Sequence, residues 1–159
     1  MFFRSVAMTT AAASLLNTCG GGGGGEFDSG WIDVQVGGDV YGEMADDESQ
    51  AYVDFGVEDG TEILGVGAPD DFGNQVYVQI DLDQANQELS LSDLRVITAY
   101  YDGVNYESRE YGLVYVEACG GSDEVRVSLD EVTLTSEDGT TLSLNGEFAA
   151  TAYASFDDC

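Results

Sequence analysis

Alternation of apolar and polar residues runs through most of the chain after Trp31 and strongly limits the folds open to it. The segment Gln75–Asp83 is the clearest example, with Val, Ile or Leu at every second position from Val76. A β-strand points successive side chains to opposite faces, so this pattern predicts a strand with one buried face. No segment has the apolar spacing of a long amphipathic helix. The chain is therefore predicted to be all-β.

One of these runs changes phase in its middle. Val125, Val127 and Leu129 alternate with polar residues, but the next apolar residues, Val132 and Leu134, follow at an odd offset. A single extra residue in a strand produces such an offset, so the run predicts a β-bulge or a strand that bends between sheets.

Three Asp-Gly pairs separate the alternating runs: Asp59-Gly60, Asp102-Gly103 and Asp138-Gly139. Asp-Gly favours the positive φ angles that tight β-hairpins require, so each pair predicts a hairpin turn. The only proline, Pro69, lies outside the predicted strands. It belongs to a connection that we call the proline loop, residues 68–74.

Together these signals predict about eight strands at the spacing typical of an antiparallel β-sandwich, with a lipocalin-like barrel as the alternative. The sandwich is preferred because runs that change phase suit strands that pass between two sheets. The predicted strands lie near residues 31–40, 51–57, 61–67, 75–83, 94–101, 111–118, 124–135 and 141–152.

The charge balance excludes several classes of function. The chain has 31 acidic residues and 4 basic residues, which are all Arg, and its formal charge at pH 7 is −27. Such a chain lacks the basic surface that nucleic-acid binding requires. The absence of Lys excludes a P-loop, and the absence of His excludes histidine bases and histidine zinc ligands. Hydrophobic residues make up 43% of the chain, so a folded domain with a core is still expected.

The amino-terminal segment has the features of an export signal. Arg4 precedes the short, Ala-rich apolar run Ser5–Leu16, which fits a signal-peptide core and is too short to span a bilayer. Next come Leu16-Asn17-Thr18-Cys19 and the glycines Gly20–Gly25. This arrangement resembles the lipobox of bacterial lipoproteins, in which the signal peptide is cut before the cysteine and the thiol is diacylated. The resemblance implies lipidation of Cys19.

The same resemblance implies a signal peptide at 1–18 and a lipidated Cys with a Gly-rich tether at 19–29, and the alternating runs predict that residues 30–159 form the β-sandwich domain. Acyl chains on Cys19 would hold the protein on a membrane of the bacterial cell envelope. An aspartate directly after the lipidated cysteine would resemble an inner-membrane retention signal. This chain has Gly20 at that position, so the outer membrane is expected. A secreted protein with an ordinary signal peptide is the alternative.

The three cysteines, Cys19, Cys119 and Cys159, are an odd number for an exported protein. If Cys19 is lipidated, Cys119 and Cys159 can form one disulfide in an oxidising compartment. That disulfide would close a loop of about 40 residues and contribute about 3 to 4 kcal/mol to the free energy of unfolding. Two free thiols are the alternative.

Acidic side chains are candidate ligands for calcium, which takes several oxygen ligands from carboxylates, amides and backbone carbonyls. Three groups of acidic residues are candidates: those in residues 43–48, in the proline loop, and in residues 81–88. None has the spacing of an EF-hand. The turn geometry expected of the proline loop favours Asp70, Asp71 and Asn74 as the ligands of a Ca²⁺ site. A solvated acidic surface without a site is the alternative.

Tyrosines cluster around the Asp102-Gly103 turn, and Tyr101, Tyr106 and Tyr111 are the candidate ligand-binding residues. Exposed Tyr side chains stack on sugar rings or form protein-binding surfaces. Tyr is also a good strand residue that packs at the edge of a core. Because Tyr100 and Tyr101 are adjacent, they point to opposite faces of a strand, and one of them is expected to contact the core.

These observations predict a lipid-anchored, acidic, non-enzymatic envelope lipoprotein that acts as a structural, adhesive or binding module with an unidentified glycan or protein partner. The segment Leu142–Ala150 also resembles the closing strands of small bacterial β-sandwich lipoproteins of unknown function. Two alternatives remain: a calcium-dependent carbohydrate-binding module and a glycosidase that uses two carboxylates. The sequence offers no catalytic pair for the glycosidase. No cofactor is predicted, and Ca²⁺ is the alternative.

Overall fold

The computed structural model describes residues 30–118 and 123–152. Ten β-strands and one short 3₁₀ turn, Leu82–Gln84, account for most of these residues. In chain order the strands are β1 (Gly30–Gly38), β2 (Gly42–Ser49), β3 (Tyr52–Glu58), β4 (Thr61–Pro69), β5 (Gln75–Asp81), β6 (Glu88–Ser90), β7 (Val96–Tyr101), β8 (Val104–Ala118), β9 (Glu124–Ser136) and β10 (Thr141–Thr151).

The strands form one continuous antiparallel sheet in the order β2-β1-β10-β9-β8-β7-β5-β4-β3. Strand β7 pairs with the beginning of the long strand β8, and the short strand β6 pairs with a later part of β8. The described residues contain no α-helix. The predicted antiparallel, all-β fold is confirmed.

The two layers of this fold come from one sheet that curls over itself. Strand β4 lies near one end of the strand order, yet it contacts β1, β2 and β10 from the other end. The core fills the space between the facing parts of the sheet and consists mainly of Val, Leu, Ile and Ala side chains. The alternation in β5 is observed as predicted, because Val76, Val78 and Ile80 are buried while their neighbours are only half-buried.

The phase change in the run 125–134 is a β-bulge, one of the two predicted outcomes. Leu129 pairs with Gly146 and Val132 pairs with Leu144, so β9 has one residue more than β10 between these pairs. Glu131 has a φ of 49° there, and its backbone N–H donates to Oδ1 of Asn145 at 2.8 Å. The bulge returns Val132 and Leu134 to the buried face of the sheet.

All three Asp-Gly pairs form hairpin turns, in two different ways. Asp59-Gly60 and Asp102-Gly103 are two-residue turns in which both residues have positive φ, as predicted. In the third turn only Gly139 has a positive φ. Its N–H donates to the carbonyl of Ser136, which makes a three-residue hairpin loop with a glycine bulge.

Three strand segments were not predicted: β2, β6 and the first half of β8. In β2 only Met44 and Ser49 are buried, so this acidic strand has almost no apolar alternation. Strand β2 pairs with β1, and this pairing is not visible in the local sequence. Strand β5 also ends at Asp81 rather than residue 83, because the chain enters the 3₁₀ turn at Leu82.

Candidate binding cleft

Three connections that are distant in sequence converge on one cleft of about 840 Å³. The first is the connection between β1 and β2 with the start of β2, residues 39–43. The second is the proline loop, which contributes Phe72 and Asn74. The third is the hairpin between β7 and β8, residues 100–103. We call this opening the aromatic cleft.

Four aromatic side chains line the cleft: Tyr41, Phe72, Tyr100 and Tyr101. Tyr41 is 83% exposed and Phe72 is 90% exposed, so both rings lie almost entirely in solvent. Tyr101 is half-buried and packs against the core, as predicted for one member of the Tyr100–Tyr101 pair. The cleft therefore has a Tyr side chain anchored on the core and two freely exposed rings.

Gly42 allows Tyr101 to reach across to β2. The Tyr101 hydroxyl lies so close to the Gly42 backbone that a Cβ at this position would overlap it. Gly42 thus leaves room for the Tyr101 hydroxyl, and a larger residue at this position would require the Tyr101 side chain to shift. This contact joins two of the three connections that form the cleft.

Asp70 holds the proline loop in shape. Its Oδ1 accepts the backbone N–H groups of Phe72 and Asn74, both at 2.9 Å, and its Oδ2 accepts from Nδ2 of Asn74 at 2.8 Å. The side chain is buried, and the backbone N–H of Asp70 donates to the Asn74 carbonyl. A short carboxylate that bonds to the backbone two residues ahead is typical of an Asx turn.

Asn74 connects the proline loop to the β7–β8 hairpin. Its Oδ1 accepts the backbone N–H of Asp102 at 2.9 Å, while its Nδ2 donates to Asp70. Both polar atoms of the amide therefore have partners in the fold. Asn74 thus links the loop that carries Phe72 to the hairpin that carries Tyr100 and Tyr101.

Asp39 connects the β1–β2 side of the cleft to the hairpin between β9 and β10. Its carboxylate accepts from the backbone N–H of Thr141 at 2.8 Å and from the Thr141 hydroxyl at 2.9 Å. These hydrogen bonds, the backbone one first, lower the pKa of Asp39 because they favour the charged carboxylate. Asp39 is thus a structural and negatively charged member of the cleft.

The charges that line the cleft have one sign. Asp39, Glu43 and Asp102 contribute carboxylates, and no basic side chain is among the lining residues. In the described part of the chain the Arg side chains bind elsewhere: Arg95 to Asp81 and Glu58, Arg109 to the carbonyls of Leu91, Leu94 and Arg95, and Arg126 to Glu124 and the ring of Trp31. None of these partners lines the cleft.

The predicted calcium ligands have different surroundings. The carboxylate of Asp70 and the amide of Asn74 are engaged in the loop hydrogen bonds, whereas Asp71 is exposed. Within residues 30–118 and 123–152, no group of three or more Asp, Glu, His or Cys side chains is arranged to hold a metal ion. The calcium site stays a prediction.

The predicted tyrosine site is only partly assembled. Tyr101 lines the cleft, but Tyr106 is 1% exposed and belongs to the core, so its prediction as a surface ligand residue is wrong. Tyr106 lies on the inward face of β8, where its ring fills space between the sheet layers. Tyr111 is exposed on β8 and does not line the cleft.

Sequence reasoning missed Tyr41 and Phe72 as cleft residues. Both residues lie in connections between strands and not in alternating runs. The only sequence signal for them is an aromatic residue in a segment without strand alternation. Phe72 is brought near Tyr101 by the pairing of β5 with β7, whereas Tyr41 comes from the other end of the strand order and approaches only because the sheet curls. No local sequence pattern reports either arrangement.

Several predictions concern parts of the chain that lie outside the described residues. These are the signal peptide, the lipidated Cys19 with its tether, and the disulfide between Cys119 and Cys159. In the segments that the structure describes, no helix combines the length and apolar character needed to cross a membrane.

Comparison of the chain with protein-family models, with curated proteins and with solved structures finds no match.

Proposed function

We propose that this chain is a non-enzymatic binding module, tethered to the bacterial cell envelope by lipid on Cys19, and that its ligand binds in the aromatic cleft. The observation that carries the proposal is the convergence of four aromatic side chains from three connections on one opening. Aromatic side chains provide large contact areas at a low cost in side-chain entropy. The volume of the cleft is in the range typical of small-molecule sites.

The exposure of Tyr41 and Phe72 supports a role in binding rather than in folding. Neither ring belongs to the core, so the fold gains little apolar burial from them. The loop that carries Phe72 is nevertheless held by the hydrogen bonds of Asp70 and Asn74. An ordered loop that presents an aromatic ring to solvent favours recognition, because less conformational entropy is lost on binding.

Asp39 does not fit the role of a general acid in this cleft. A glycosidase needs one carboxyl group that stays protonated and another that is ionised. The hydrogen bonds from Thr141 lower the pKa of Asp39, which is the wrong direction for the protonated member of such a pair. These bonds also occupy the carboxylate in joining two hairpins, which supports a structural role for it.

Calorimetric titration with three probes of different charge tests this proposal. The full chain, produced with Cys19→Ser to prevent acylation, is titrated with choline, cellobiose and succinate. We expect saturable binding of choline or cellobiose, and loss of that binding in the double variant Tyr41→Ala, Phe72→Ala. Tyr111→Ala is the matched control, because it removes an exposed ring outside the cleft. Equal binding by the double variant, or no saturable binding of any probe, would contradict the proposal.

The tether is tested separately in bacteria that produce the unaltered chain. Metabolic labelling with a fatty acid is expected to mark the protein and to recover it with membranes. Cys19→Ala is expected to remove both the label and the membrane association. An exported chain that carries no label would refute the lipid anchor and leave the cleft proposal intact.

A further inference from the structure

We infer that the ligand of the aromatic cleft is an organic cation, whose alkylammonium group contacts the aromatic rings and the surrounding carboxylates. This inference rests on the proposed function, because it names the ligand class for the same cleft. It is carried by the combination of exposed rings with lining charges of a single sign.

The electrostatic argument starts from the carboxylates of Asp39, Glu43 and Asp102. Each of these residues is exposed, and none forms an ion pair among the described residues. A cation that enters the cleft therefore gains attraction from several carboxylates without having to replace an existing basic partner. An anion such as a phosphate or a carboxylate would be repelled.

The aromatic rings select the kind of cation. Metal cations such as calcium and magnesium are strongly hydrated and prefer oxygen ligands. An alkylammonium group is attracted to the faces of Tyr and Phe rings by the cation–π interaction, and its carbon atoms pack against them. A cleft of about 840 Å³ also has room for an organic molecule.

A neutral sugar is the main competitor for this cleft, since sugars also stack on aromatic rings and donate hydrogen bonds to carboxylates. The two ligand classes differ in their response to charge. Binding of the cation depends on the carboxylates and weakens as salt screens them, whereas sugar binding is largely insensitive to salt.

Choline and its neutral carbon isostere, in which a tert-butyl group replaces the trimethylammonium group, provide the direct test. Both are titrated into the full chain with Cys19→Ser. Because their shapes match, a difference in affinity reports the positive charge. We expect choline to bind about tenfold more tightly, and we expect this advantage to shrink as sodium chloride is raised. Equal affinities would overturn the inference.

Two Glu→Gln variants locate the charge effect. Glu43→Gln is expected to weaken choline binding by about two- to fivefold and to leave binding of the isostere unchanged. Glu107→Gln removes an exposed carboxylate outside the cleft and is expected to have no effect beyond the small change in net charge. Equal effects of both variants would contradict a specific cation site.

Lipid vesicles distinguish a lipid headgroup from a soluble molecule as the source of the alkylammonium group. Binding to phosphatidylcholine vesicles but not to phosphatidylglycerol vesicles would indicate a lipid headgroup, whereas binding of free choline alone would indicate a soluble cation. If cellobiose binds in the cleft and choline does not, the inferred ligand class, an organic cation, is wrong, and the proposed binding function stands. If no probe binds, both the inferred ligand class and the proposed function are wrong.

Discussion

The core and the aromatic cleft use the same kind of side chain in opposite ways. Phe148 on β10 is 0% exposed and packs between the facing parts of the sheet, whereas Phe72 in the proline loop is 90% exposed. The core residues come from alternating positions on strands, and the cleft residues come mainly from the connections between strands. Stability is therefore concentrated in the sheet, and the connections are free to carry recognition.

The largest expected effect comes from truncating Phe148, with truncation of Phe72 as the comparison. Phe148→Ala leaves a cavity in the core and is expected to lower the free energy of unfolding by about 3 to 5 kcal/mol. Phe72→Ala is expected to change it by less than about 0.5 kcal/mol, because the ring is already in solvent. Urea unfolding of both variants measures the difference.

The same two variants, Phe148→Ala and Phe72→Ala, distinguish an effect on stability from an effect on binding. Phe72→Ala is expected to weaken ligand binding in the cleft although the protein stays folded. A loss of stability from Phe72→Ala that approaches the loss from Phe148→Ala would contradict the division between core and cleft.

The next effect concerns the acidic residues of the proline loop. Asp70→Ala leaves the backbone N–H groups of Phe72 and Asn74 without their acceptor, and we expect a loss of about 1 to 3 kcal/mol. Asp71→Ala removes an exposed neighbour and is expected to change stability by less than about 0.5 kcal/mol. Chemical unfolding of the two variants compares them, and similar losses would show that Asp70 does not hold the loop.

These variants also test the predicted calcium site. Thermal unfolding is followed with calcium, and with magnesium and sodium chloride at matched ionic strength. A saturating rise selective for calcium that Asp71→Ala removes would confirm a site in the proline loop. An equal rise with every salt would mean that the added ions only screen the acidic surface.

The smallest expected effect depends on pH and concerns Asp138 in the β9–β10 hairpin. Hydrogen bonds from the Ser136 hydroxyl and from the Thr140 backbone N–H lower its pKa from 3.8 to about 2. A lowered pKa in the folded state stabilises the protein above pH 3.8, and that contribution is lost as the pH falls towards 2.

Wild type and Asp138→Asn are compared to isolate this contribution from the other carboxylates. The wild type is expected to be slightly more stable at neutral pH, and the difference is expected to vanish between pH 3.8 and about 2. Thermal unfolding at a series of pH values measures it. A difference that stays constant across this range would show that the hairpin does not depend on the charge of Asp138.

Most of the sheet could be predicted from local patterns, because each pattern has a local physical cause. Alternation determined the buried face of β5, and the odd offset between Leu129 and Val132 indicated the bulge. The Asp-Gly pairs indicated all three turns. Strand β2 escaped prediction because edge pairing with β1 stabilises it without an apolar alternating face.

The cleft could not be predicted because its parts meet only through the pairing of β5 with β7 and the curl of the sheet, neither of which a local pattern reports. Tyr101 was identified from the tyrosine cluster, but its neighbours Tyr41 and Phe72 come from connections about 30 to 60 residues away in the sequence. The cluster also included Tyr106, whose position on β8 faces inward. Proximity in sequence was thus a poor guide to proximity in the cleft.

The central claim is that the aromatic cleft is the binding site, and an NMR map of ligand contacts tests it most directly. Amide signals of the full, isotope-labelled chain with Cys19→Ser are followed during titration with choline and, separately, with cellobiose. We expect saturable shifts confined to residues 39–43, 72–74 and 100–103 for at least one probe. Shifts that saturate at another surface, or that spread without saturation over the acidic surface, would contradict the account.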